Sequence, residues 1–174
     1  MKIKNIIITF ISAIAILFST SVVSFAKVVG DKIILGAAIS LTGKYSSNGV
    51  HTQNGYNMAV DRINSMGGVK VGGKTYMFDI IYYDDESNPK RAAQLAERLI
   101  SQDGVEFMLG PYSSGLTKAM APVTEKYGVP MVEANGASRS LFTKGYKYLF
   151  AVLAPANLYL DVAIRTAVEL NGGK

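Results

Sequence analysis

Two hydrophobic periods take turns along this chain. Ile33-Ile34-Leu35-Gly36-Ala37-Ala38-Ile39 carries no polar side chain, as expected of a strand covered on both faces. Tyr56, Ala59, Val60, Ile63 and Met66 then recur at helical spacing, and Gly67-Gly68 ends that helix. A small turn or ribbon over residues 69–74 leads into a strand from Tyr76 to Tyr83. Pro89 fits a first helical position with Asn88 as its cap, and Ala92, Leu95, Ala96, Leu99 and Ile100 line one face of the helix. Residues 105–109 form a third strand. Leu116, Ala119, Met120, Val123 and Tyr127 mark the following helix, in which Pro122 removes a donor and predicts a kink. Strands are expected at 129–132 and 148–153. Pro155 opens a last helix that offers Leu158, Tyr159, Val162, Ala163 and Ala167 for packing and ends at Asn171-Gly172-Gly173. Strict alternation predicts an α/β fold, a doubly wound parallel sheet with helices on both faces.

Ligands on such a sheet bind beyond the carboxyl ends of its strands. Three loops fall there: Ser40 to Gly49, Gly110 to Ser114, and Glu133 to Ser138, all rich in small, hydroxyl or amide residues. In the joint Gly110-Pro111-Tyr112-Ser113-Ser114, Ser113 can cap the next helix and Ser114 lies in its first turn. Backbone N–H groups lack partners there and an anionic group is favoured. Two readings stand at this stage: a ligand cleft, or two serines that only cap a helix.

The front of the chain belongs to a different class of segment. Lys2 and Lys4, the apolar run from Ile6 to Phe18, and Ser24-Phe25-Ala26 read as a signal peptide, residues 1–26, cleaved after Ala26. The run is short for a membrane span and nothing later is long and apolar enough, so no stable membrane insertion is expected. The chain contains no cysteine, which excludes a lipidated cysteine, a disulfide or a thiolate metal site and suits a free periplasmic protein. Removing Lys2 and Lys4 from the 18 bases leaves 16 against 13 acids, a charge of +3, too mild to argue for nucleic acid. His51, the single histidine, reads as an exposed residue in a helix's first turn. The joint departs from the Gly-x-Ser-x-Gly elbow, so a hydrolase is the lesser reading and no catalytic residue is assigned. Asp84-Asp85-Glu86 lacks the alternate spacing of a calcium loop and reads as a solvated turn. No metal and no cofactor are expected.

A leader, then IILGAAISLTGKYSSNG, GYNMAVDRIN, GGV, IIYYDDESNPKRA, MLGPYSSGLT and VPMVEANGAS in this order resemble the amino-terminal lobe of a type I periplasmic binding protein. The similarity points to the Leu/Ile/Val-binding and hydrophobic amino-acid or amide receptors of ABC importers. It implies a two-lobed receptor that closes on a small solute (an amino acid, amide or organic acid) and delivers it to an importer permease. It implies that residues 27–174 are one lobe, the second lobe being absent. The resemblance gives Ser114, with Ser113 beside it, the solute's carboxylate. An ungapped register places Asn135 and Ala137 where relatives hold an amino group, with Gly136 between them. Ala137 lacks the expected hydroxyl and Ser138 is adjacent, so an amide or an aromatic or organic acid fits as well as an α-amino acid. Tyr45, Asn48 and Tyr112 are expected to line the cleft. The same fold serves sensor modules, which is the second functional reading.

Overall fold

The structure, a computed structural model, describes residues 28–172; the leader, its cleavage point and Gly173 lie outside them. In chain order it comprises β1 (Val28–Val29), β2 (Lys32–Ile39), α1 (Ser46–Ser65), β3 (Val69–Val71), β4 (Lys74–Asp84) and α2 (Pro89–Ser101). Then follow β5 (Met108–Leu109), α3 (Ser114–Tyr127), β6 (Met131–Glu133), β7 (Leu149–Ala151) and α4 (Asp161–Leu170). The sheet runs β3-β4-β2-β5-β6-β7, with β1 on β2. All neighbours from β4 to β7 are parallel; the β1–β2 and β3–β4 pairs are antiparallel. The doubly wound α/β expectation therefore holds, with two short hairpins added at its start and edge.

The core lies on one face of the sheet. Ile34 and Ala38 of β2, Met108 and Met131 pack against Ala92, Ala96 and Leu99 of α2 and Leu116 and Met120 of α3. Four alanines in this cluster (Ala38, Ala92, Ala96 and Ala121), with Gly36, let the helices approach the strands closely: a Cβ at Gly36 would stand 2.7 Å from Val105 and 2.8 Å from Met108. The alternate residues of the strands point to the other face, where Ile33 and Leu35 with Tyr56, Val60 and Ile63 of α1 line an apolar hollow of about 480 Å³. The cover from α1 stops short. Phe107 (43% exposed), Val132 (40%) and Phe150 (52%) leave an apolar strip open on the α1 side.

Several boundaries differ from those expected, for identifiable reasons. α1 starts at Ser46 rather than after Gly49, because Gly49 meets the end of β2: a Cβ there would stand 1.7 Å from the Ser40 carbonyl oxygen. His51 therefore falls in the second turn. β6 starts at Met131, after Pro130, which has no N–H for the ladder. β5 and β7 are shorter than their apolar runs, since only the stretch beside a neighbouring strand forms a ladder. α3 runs through Pro122 without a break. Pro155 opens only a short 3₁₀ turn, Ala156–Leu158, before α4 begins at Asp161. Every residue of α4 stands outside the core, and Leu158, Leu160, Val162, Ile164 and Leu170 are exposed.

Leu99→Ala removes a fully buried side chain between α2 and the sheet. It is expected to lower unfolding free energy by about 2–5 kcal/mol in urea titrations, whereas Leu170→Ala, in the exposed end of α4, is expected to change it by less than about 0.5 kcal/mol.

Candidate functional site

The carboxyl ends of β2, β5 and β6 carry the three loops and that of β4 carries the 84–88 turn, and carboxylates and hydroxyls fasten these segments to one another. Asp84 accepts from the Leu41 and Thr42 amides and from the Thr42 hydroxyl, at 2.9, 3.2 and 2.7 Å. Asp85 is fully buried and accepts from the Ser40 hydroxyl at 2.6 Å and the Ser87 amide at 2.8 Å. Burial pushes its carboxyl above the ordinary range. The Asp84-Asp85-Glu86 stretch is thus a clamp on the first loop, not the solvated turn expected of it. Among the described residues no group of three potential ligands could hold a metal ion.

Glu133, at the end of β6, does the same for the other two loops. Its Oε1 accepts from the Asn135 and Gly136 amides, each at 2.5 Å, and its Oε2 accepts from the Thr117 hydroxyl of α3 at 2.5 Å. The side chain has no exposure to solvent. It fits because two neighbours lack a Cβ. One at Gly110 would stand 2.4 Å from Glu133 Oε2, and one at Gly136 would stand 2.9 Å from Thr117 Oγ1. Desolvation lifts the Glu133 carboxyl above its ordinary 4.5, against the pull of its three donors. Tyr56 reaches across from α1 and donates to the Gly110 carbonyl at 2.6 Å.

Around this floor the expected site residues fall into distinct groups. Ser114 Oγ accepts from the Ser138 amide at 3.1 Å, so the serine joint and the second loop touch directly. Ser113 stands at the start of α3 but makes no side-chain cap; its carbonyl receives Thr117 N at 2.9 Å instead. Tyr45 and Tyr112 meet edge to face, centroids 5.5 Å apart, with Lys44 Nζ 4.5 Å from the Tyr45 ring. Lys44, first, and Ser113 pull the Tyr45 hydroxyl below its ordinary range. Asn48, Tyr112 and Asn135 wall a hollow of about 400 Å³, to which His51, Thr52 and Tyr56 also contribute. Gly136 is buried with Glu133 beneath the surface, and the Ala137 carbonyl is engaged by the Ala156 amide at 2.8 Å.

The sequence pattern does not single out His51 and Thr52 as site residues, although both follow Asn48 at helical spacing and so share its face. Glu133 carried no such signal; a lone acid ending an apolar strand looks like the first residue of a solvated loop.

The profile of the periplasmic binding protein family matches residues 32–174. The chain belongs to this family. Its relatives include a leucine-, isoleucine-, valine-, threonine- and alanine-binding protein of Pseudomonas aeruginosa, 29% identical over 139 residues, covering 80% of this chain and 36% of that one. Among solved structures, it is similar to the substrate-binding protein of a branched-chain amino acid transporter from Streptococcus pneumoniae in complex with isoleucine. There the identity is 32% and the TM-score 0.64, over 71% of this chain and 34% of that one. A solute-binding protein of an ABC transporter from Rhodopseudomonas palustris, in complex with 3,4-dihydroxybenzoic acid, is 26% identical with a TM-score of 0.59, over 70% and 31% of the two chains. This periplasmic binding protein chain spans about a third of the length of these relatives. Among the described residues no helix is long and apolar enough to cross a membrane.

Glu133→Ala strands two amides and a hydroxyl in a buried site, and is expected to lower unfolding free energy by about 2–4 kcal/mol. Glu133→Gln is expected to lose less, because its carbonyl serves both amides and its NH₂ donates to Thr117, whose proton turns to the Ser113 carbonyl 3.0 Å away. A carboxyl lifted by folding contributes stability that is present below its unfolded value and lost as pH rises through the folded one. The stability difference between wild type and Glu133→Gln, read from urea midpoints, should therefore shrink from below pH 4.5 toward neutrality. A difference that grows with pH contradicts the assignment.

Proposed function

We infer that residues 27–174 form one lobe of an extracytoplasmic solute receptor, exported by a leader cleaved after Ala26, that serves an ABC importer. The solute is an amino acid or a related amide or small organic acid, and the receptor hands it to a membrane permease. One observation carries this reading. Ser113 and Ser114 open α3 at the carboxyl edge of a parallel sheet, half exposed, and face the 134–138 loop across a direct hydrogen bond. A carboxylate at that edge meets the free amides of the first turn, the positive end of the helix and the Ser114 hydroxyl, whose proton is not used by Ser138. Tyr45, Asn48 and Tyr112 stand beside it, and Asn135, Gly136, Ala137 and Ser138 supply the facing loop. Support comes also from the relatives, whose names describe proteins binding leucine, isoleucine and valine, and one structure bound to a dihydroxybenzoic acid.

The hollow beside the joint is open to solvent on one side, so a second lobe is assigned the opposite wall. Closure of two lobes would desolvate the solute, which one lobe does not. Affinity of this chain for a free amino acid is therefore expected to be weak, on the order of millimolar. In ¹⁵N NMR titrations with L-isoleucine, the Ser114 and Gly115 amides should move, and Ser114→Ala should weaken binding by about tenfold. Unmoved amides, or an unchanged dissociation constant in Ser114→Ala, would sink the assignment of the joint. Micromolar binding by isothermal titration would sink the need for a second wall.

A further inference from the structure

The first turns of α1 turn a row of polar side chains toward the cleft. Asn48, His51 and Thr52 lie on one face of the helix and, with Tyr112 and Asn135, wall the hollow of about 400 Å³. Two of these groups are already paired. Asn135 Nδ2 donates to the Thr52 hydroxyl at 3.2 Å, and that hydroxyl donates to the Asn48 carbonyl at 2.9 Å. The side-chain polar atoms of Asn48, His51 and Tyr112 have no hydrogen-bond partner among the described residues. Among the described residues no lysine, arginine, aspartate or glutamate lines the hollow. Its wall therefore presents an amide, an imidazole and a phenol, groups that both donate and accept, with no fixed charge.

We propose that this hollow is a specificity subsite for a neutral carboxamide. A solute seated by one end at Ser114 places an amide among Asn48, His51 and Tyr112. The inference rests on the joint being the solute's seat. A solute lying in the hollow displaces water from the three groups, and each then needs a partner from the solute. A carboxamide offers two donors and an acceptor. A branched aliphatic end offers none and leaves all three unpaired where it covers them, which weakens its binding. A carboxylate offers acceptors only, and no lysine or arginine among the described residues lines the hollow to hold it.

L-glutamine, L-isoleucine and L-glutamate share one head group and differ at the far end, so NMR titrations of the purified chain with each separate the two claims. All three are expected to move the Ser114 and Gly115 amides. Only glutamine is expected to move the Asn48 side-chain amide and the His51 ring resonances, and to bind tighter than the other two by about fivefold. The pair Asn48→Ala and His51→Ala should abolish that advantage. Both positions are exposed, and the amide spectrum of α2 and α3 reports that the variant is folded. If the Ser114 response persists while isoleucine binds as tightly as glutamine, or glutamate binds tighter, the amide subsite is overturned alone. A glutamine advantage that survives the double variant overturns it too. Silence at Ser114 with all three solutes overturns the seat itself and, with it, the subsite.

Discussion

A carboxylate sealed from water holds the floor of the cleft together. Glu133 cannot relax toward solvent, so its position is set by three donors: two amides of its own loop and the Thr117 hydroxyl of α3. Each donor belongs to a part of the site. The amides belong to Asn135 and Gly136, and Thr117 sits one turn beyond Ser113 and Ser114. One side chain thereby fixes the second loop relative to the serine joint. Its cost is a desolvated carboxylate, offset by short charge-assisted hydrogen bonds. Its geometry forbids a Cβ at Gly110 and at Gly136. The sequence places both glycines in loops of the cleft, but only the carboxylate between them explains why neither position can carry a Cβ.

The first loop is tied down by the same logic from the other end of the sheet. Asp84 and Asp85 reach back to Ser40, Leu41 and Thr42, so the turn that leads into α1 cannot swing freely. With α1 fixed there, and with Tyr56 bonded to the Gly110 carbonyl, its first turns overlie the joint. Asp84 and the Oδ1 of Asp85 take their partners from the binding loop itself, while Asp85 Oδ2 is buried without a partner. Structural economy and site geometry coincide.

The two faces of the sheet are treated unequally. α2 and α3 close one face with a dense core, while α1 alone covers part of the other and leaves Phe107, Val132 and Phe150 in contact with solvent. α4 adds more exposed apolar side chains and packs on neither face. Burial of the core cluster is what orders the lobe; the site occupies the edge where the helix ends and strand ends meet, and it inherits its rigidity from that core.

Most of the architecture was readable from residue order. Hydrophobic period separated Ile33–Ile39 from the Tyr56 stripe, Asn88-Pro89 marked the start of α2, and the three loops at the carboxyl ends followed from alternation alone, because these are local properties of the chain. The resemblance to the family rested on the same local runs. What contacts decided was different in kind. Ladder ends at β5, β6 and β7 depend on which strand lies alongside, and the start of α1 depends on Gly49 meeting Ser40. The role of Glu133, the burial of Asp85 and the turning of His51 toward the hollow all arise between residues far apart in sequence. A composition or a period carries no record of such pairs, since a carboxylate reads as solvated until folding takes its water away.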